Sequence, residues 1–198
     1  MKSSPYPVQF NVDYPKSLGR PSTFFRLVLA IPIYVILVLV ASGLRFGIST
    51  GVGLLFLPTL LMILFRKKYP RWWFDWNVEL FKFTNRISAY LMLLRDEYPS
   101  TDQEQAVHLR IQYPDAKNLN RWLPLVKWLL AIPHYIVLAI LGIASLVAVI
   151  IAWFAILLTG RYPRGLFDFV VGVTRWSNRV TAYAFLLTTD KYPPFSLK

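Results

Sequence analysis

Residues 128–160 form one run of 33 positions without a charged side chain, most of them Leu, Ile, Val, Ala, Phe or Trp. At about 1.5 Å of rise per residue a single straight helix of that length would be about 50 Å long. A bilayer's hydrocarbon core is only about 30 Å thick and needs about 20 apolar residues to cross. One crossing leaves part of the run unused, and two full crossings slightly exceed it. The run alone therefore points to a lipid-facing chain, and it predicts a tight hairpin of two short spans turning near Gly142 to Ser145.

Composition agrees with a lipid solvent. Only 16% of the 198 residues are charged while 56% are hydrophobic, against about a quarter charged in soluble domains. Many of the aromatic residues sit at the ends of apolar runs, where amphipathic rings favour the headgroup zone. The absence of cysteine excludes disulfides, thiolate chemistry and cysteine metal sites. Three prolines and several charges in residues 1–20 argue against a cleavable signal peptide.

The net charge of +12 raises the question of nucleic acid, but the distribution of the charge points elsewhere. Of 22 Lys and Arg, Arg45 alone falls between paired apolar runs. Such asymmetry is what the positive-inside rule describes, and anionic lipid headgroups are the natural partner.

Five blocks recur in the same order. Val8-Gln-Phe-Asn-Val-Asp-Tyr-Pro15 aligns with Val107-His-Leu-Arg-Ile-Gln-Tyr-Pro114, and Arg26 to Tyr34 with Lys127 to Tyr135 around a shared Ala-Ile-Pro. Tyr69-Pro-Arg aligns with Tyr162-Pro-Arg, Asn85-Arg with Asn178-Arg, and Asp96-Glu-Tyr-Pro with Asp190-Lys-Tyr-Pro. Recurrence of this kind predicts an internal duplication. Arg45 divides the first apolar region in two, so the second is expected to cross twice as well.

The resulting expectation is a mainly α, integral membrane protein with four transmembrane helices, arranged as two tandem parallel repeats. Each repeat is a helical hairpin plus an amphipathic interfacial helix, with short β-strands at the cytoplasmic face. Residues 1–100 supply strand 8–14, spans 27–44 and 46–65, and interfacial helix 71–95. Residues 101–198 supply strand 107–113, spans 124–142 and 145–159, and interfacial helix 164–188. The strands rest on period-2 alternation, and both end at a Tyr-Pro because proline cannot donate into a ladder. Pro32 and Pro133 are expected to kink the first span of each repeat.

On the two amphipathic helices a narrow polar ridge runs between broad apolar flanks, the pattern of a helix lying in a bilayer interface. The ridge carries Asp75, Glu79, Lys82 and Arg86 in the first half and Asp168, Arg175 and Arg179 in the second, with Gly172 opposite Glu79. Lys82 with Arg86, and Arg175 with Arg179, are cations one turn apart. Like charges at that spacing repel, so an anion between them is favoured, and phospholipid phosphate is the candidate. The alternative is internal neutralisation, since Glu79 can reach Lys82 and Asp75 or Asp168 can pair elsewhere. Asn85 and Asn178 read as structural polar residues. His134 could ligate haem or a chlorin, although its counterpart Ile33 cannot, and an interhelical hydrogen bond is the commoner use of such a histidine. His108 reads as a surface residue.

No catalytic triad, paired catalytic carboxylates, metal-ligand spacing or glycine-rich phosphate loop appears. No resident cofactor or metal is expected, only bound phospholipid, and no activity as an enzyme. The ten acidic residues all lie outside the expected spans, which weighs against ion-coupled transport.

Ala131-Ile-Pro-His-Tyr135, Thr159-Gly-Arg-Tyr-Pro-Arg164, Phe167-Asp-Phe, Arg175-Trp-Ser-Asn-Arg179 and Asp190-Lys-Tyr-Pro-Pro-Phe195 resemble the DUF4389 family of bacterial membrane proteins. The first half fits more loosely: Phe65-Arg-Lys-Lys-Tyr-Pro70 lacks the Thr-Gly, and Lys82-Phe-Thr replaces Arg-Trp-Ser. The resemblance implies a duplicated, multi-pass architecture and supplies no catalytic residue. The functional expectation is a non-enzymatic accessory or scaffold subunit of the bacterial cytoplasmic membrane, both termini cytoplasmic. It would bind anionic phospholipid and dock a partner membrane complex or a second copy of itself. A lipid-binding or transport protein with a groove between the repeats is the alternative.

Overall fold

A computed structural model describes residues 6–42, 53–101 and 103–198; side chains are described for these except at 39–42 and 53–55. The chain is mainly helical. In order it forms β1 (Val8–Val12), α1 (Arg20–Phe24), α2 (Arg26–Ser42), α3 (Gly53–Arg66), α4 (Arg71–Leu91), β2 (Val107–Ile111), α5 (Leu123–Leu130), α6 (Ile132–Thr159) and α7 (Arg164–Ala184).

The two alternating stretches form strands and pair with each other, antiparallel. The register is self-complementary: Val8 faces Ile111, Phe10 faces Leu109 and Val12 faces Val107. Every second residue of β1 is buried, as the period of two requires. The strands then cross over. β1 packs on α7 of the second half, and β2 on α4 of the first. The Tyr14 hydroxyl donates to the Tyr162 carbonyl, and the Tyr113 hydroxyl to the Tyr69 carbonyl. Tyr14 meets Phe167 edge-on at 5.0 Å, and Tyr113 meets Phe74 at 5.1 Å. Helix contacts follow the same exchange. Arg20 reaches from α1 to the Leu158 carbonyl (3.0 Å), and Arg121 to the Phe65 carbonyl (3.2 Å). The main apolar core accordingly mixes β1, α4, α6 and α7, so neither half is the self-contained hairpin unit expected from the sequence.

The hairpin near Gly142 to Ser145 does not form. α6 runs unbroken for 28 residues through both positions. A lone glycine costs a helix only about 1 kcal/mol, whereas a turn inside an apolar run would strand backbone donors and acceptors where no water can satisfy them. Pro124 and Pro133 fall in the first turns of α5 and α6, where no intrahelical donor is lost. The bend comes at Ala131 between them, and α6 stops at Gly160 in the left-handed conformation (φ 72°).

Four crossings are therefore not what the structure contains. Among the described residues one helix, Leu123–Thr159 with 37 residues, is long and apolar enough to cross a membrane. The apolar parts of α2 and α3, Arg26–Val38 and Phe56–Arg66, are shorter. Arg45, on which the first pair of spans was divided, lies outside the described residues. Nor do α4 and α7 leave their broad apolar flanks uncovered, apart from Trp72 and Trp76 on α4. Their apolar flanks are core: Phe74, Phe81, Phe83 and Ile87 of α4, and Phe167, Val170, Trp176 and Val180 of α7, are buried by the rest of the chain. A wide apolar face is equally what a helix shows when other helices, rather than lipid, cover it. Both helices end four residues before the expected boundary, and the chain then turns through Leu93 (φ 61°) and Leu187 (φ 55°).

Candidate functional site

The cations of the two ridges serve the chain itself. Lys82 pairs with Glu79 at 2.7 Å. Buried Arg86 donates to the Ser100 carbonyl at 2.8 Å. Arg175 bridges the Phe10 carbonyl (Nε, 2.8 Å) and the Leu197 carbonyl (Nη1, 2.9 Å). Arg179 donates to the Ser196 carbonyl at 3.3 Å and to the Lys198 carbonyl. Burial, followed by the neighbouring Arg175 charge, lowers the Arg179 pKa from its ordinary value. Gly172 is what lets this segment sit so close, because a Cβ there would lie 2.9 Å from the Leu197 oxygen. Arg175 and Arg179 thus meet on segment 196–198, while Lys82 and Arg86 act separately. The four do not converge on one pocket.

Of the remaining ridge residues, Asp75 and Asp168 form exposed pairs with Arg71 and Arg164, one turn before them. Asn178 Nδ2 donates to Asn85 Oδ1 at 2.7 Å, a buried bond joining α7 to α4. That bond and the contact of Thr174 with the Met92 sulfur at 3.8 Å link α7 to the end of α4.

His134 is fully buried, and Trp176 Nε1 donates to its Nδ1 at 3.1 Å. Accepting that bond occupies the Nδ1 lone pair and leaves the proton of a neutral ring on Nε2. Phe195 stacks on the ring at a centroid distance of 4.0 Å. Nδ1 is thus engaged by Trp176, while Nε2 is buried with no hydrogen-bond partner among the described residues. In the first half Ile33 packs in one apolar cluster with Phe83 at the corresponding positions. His108 is exposed and pairs with Asp13 at 2.9 Å. Among the described residues no cluster of His, Cys, Asp and Glu could hold a metal.

Two buried cations escaped the sequence reading. Arg26 donates to Asp96 and, at 2.9 Å, to the Arg95 carbonyl, with its guanidinium 4.1 Å above Tyr90. Lys127 forms an ion pair with Asp190 and donates to the Thr189 carbonyl, both at 2.7 Å, with its ammonium 5.2 Å from the Tyr183 ring. Each aspartate also accepts a backbone amide from the segment entering the first helix, Gly19 for Asp96 and Asn120 for Asp190. The signal was available: a cation and an aspartate recur at matching places in the aligned blocks.

A cleft of about 570 Å³ lies among β1, α7 and the last described residues. Asp13 and Asp168 face Arg164, Arg175 and Lys198 across it. That balance of charge selects neither an anion nor a cation.

Exposed cations cluster instead at two turns. Arg66 ends α3, Lys67 and Lys68 follow it, and all three are exposed, as is Arg121, which caps α3 at Phe65. Arg161 follows α6 and is exposed, and exposed Arg20 caps it at Leu158. Tyr113 and Tyr14 tie these turns to the same small sheet.

Residues 122–196 match the family model of the Domain of unknown function DUF4389. The match covers α5, α6, α7 and the segment holding Asp190, so it contains the whole Lys127–Asp190 clamp and the His134–Trp176 pair. No curated protein and no solved structure matches the chain.

Proposed function

We propose that the protein is a non-enzymatic accessory or scaffold component of the bacterial cytoplasmic membrane, made of two copies of one DUF4389-like unit with exchanged strands. It docks a partner membrane complex, and its basic, aromatic-rich side binds anionic phospholipid. The observation that carries this reading is where apolar surface is left uncovered. On α6, Ile136, Ile140, Ile143 and Leu158 are 60–76% exposed, and α2 repeats the pattern at Leu27 and Val28. α7, by contrast, exposes no large apolar side chain. Water does not tolerate patches of this extent on a monomer, whereas acyl chains or a partner's apolar helices cover them.

Exposed cations at the two basic turns, with Trp72 and Trp122 exposed beside the first, support the lipid-binding part of this reading, because basic side chains and indole rings favour the headgroup zone. Lys82, Arg86, Arg175 and Arg179 then act from beneath, holding the scaffold that presents those turns. The test is flotation of the full chain with phospholipid vesicles followed by alkaline carbonate extraction. The expected result is protein that stays with the lipid. Monodisperse protein in detergent-free buffer, left behind by the vesicles, would overturn the reading.

A further inference from the structure

We infer that anionic phospholipid headgroups bind at the turn after α3, on Arg66, Lys67, Lys68 and Arg121, and much less at the corresponding turn after α6. The inference rests on the membrane reading above and names the site through which it acts.

Lys67 and Gly160 occupy the same place in their halves. Each ends its helix in the left-handed region, at φ 47° and 72°, with its amide on the carbonyl of a buried isoleucine, Ile63 (3.1 Å) or Ile156 (2.7 Å). Glycine is the residue that conformation favours, because a Cβ is strained there. In the second half the strain is absent. In the first, a lysine bears it, flanked on both sides by further cations.

The charge around that lysine is uncompensated. Among the described residues none of Arg66, Lys67, Lys68 or Arg121 makes an ion pair. The adjacent Asp75 is held by Arg71. Arg121 fixes the geometry: one of its nitrogens holds the Phe65 carbonyl, which leaves further N–H groups of the planar fork for a phosphate oxygen. Trp72 and Trp122, 70% and 66% exposed, flank the turn, and indole rings with basic side chains mark headgroup depth. Among the described residues the second turn itself carries Arg161 and Arg20 without an ion pair. Lys16 lies two residues before Leu18, whose amide donates to the Gly160 carbonyl. Exposed Phe24 and Phe25, at the end of α1, carry no polar edge. A phosphodiester headgroup with net negative charge compensates the cations gathered at this turn, and a zwitterionic one carries its own neutralising ammonium.

The experiment reconstitutes the full chain in nanodiscs of mixed phosphatidylcholine and phosphatidylglycerol. Native mass spectrometry then reads the ratio of the two lipids retained on the released protein. Wild type is expected to enrich phosphatidylglycerol. Lys67→Gly relieves the backbone strain, so it folds at least as well, and its enrichment is expected to drop about fivefold, the effect of one basic residue near a charged surface. Lys68→Gln in addition deepens the loss, and Arg161→Gln changes it less than either. Unchanged enrichment in Lys67→Gly/Lys68→Gln, or an equal loss in Arg161→Gln, overturns the assignment. Wild type that enters nanodiscs with no lipid preference overturns it while leaving the membrane reading intact. A chain that cannot enter nanodiscs removes both.

Discussion

The two buried clamps do the same job with different chemistry. In the first half an arginine spreads its donors over Asp96 and the Arg95 carbonyl and lies flat on Tyr90 at 4.1 Å. In the second a lysine concentrates one charge on Asp190 and the Thr189 carbonyl, and its tyrosine is more distant at 5.2 Å. Both cations are out of solvent, at 2% and 0% exposure. The difference teaches where each half depends on its aspartate. Arg26 retains a carbonyl and a ring face if Asp96 is lost. Lys127, a compact and strongly hydrated charge, retains one carbonyl and the more distant Tyr183 ring. Burial of a lone ammonium is far more expensive than burial of a paired one.

The largest effect is therefore expected from Asp190→Asn, a loss of about 3–5 kcal/mol, the range for breaking a buried pair. Thermal unfolding of nanodisc-held protein by near-UV circular dichroism reads it. Asp96→Asn should cost less, about 1.5–3 kcal/mol, the range for hydrogen bonds to charged groups. Equal losses would erase the contrast between arginine and lysine. Next comes the bond that joins the halves. Asn178→Ala leaves Asn85 buried without its partner and should lower stability by about 2 kcal/mol. A shift below a few tenths in the same melt would mean the halves are held by apolar packing alone.

Arg26→Lys converts the first clamp into the second and is expected to cost about 1 kcal/mol, one hydrogen bond and part of a ring contact. Smallest are the two turns. Lys67→Gly should gain up to about 1 kcal/mol, and Gly160→Ala should lose about the same, because only glycine is unstrained at positive φ. Two shifts of the same sign would show that the turns are not equivalent in backbone demand.

Much of this was legible in the chain. Val8, Phe10 and Val12 alternate, and the strand forms there because a half-buried strand needs nothing more than that period. Matching blocks placed matching residues: Arg86 and Arg179 each hold a backbone carbonyl, the Tyr69 and Tyr162 carbonyls each accept from a tyrosine hydroxyl, and Asn85 and Asn178 bond each other. The ridge cations were harder. Arg175 and Arg179 have no acid within a turn, so they look free for an anion, yet carbonyls from segment 196–198 occupy them. Carbonyl acceptors leave no trace in side-chain chemistry.

By itself the sequence determined the apolar run, the strands, the polar ridge and the recurrence of blocks, because each is a local pattern of side chains along the chain. Only the tertiary structure decided that the run at 132–159 stays one helix, that the apolar flanks of α4 and α7 face protein instead of lipid, and that the strands cross between halves. Those outcomes turn on which surface covers which. An apolar face reads the same whether its neighbour is an acyl chain or another helix, and the neighbour is chosen by contacts between residues far apart in sequence.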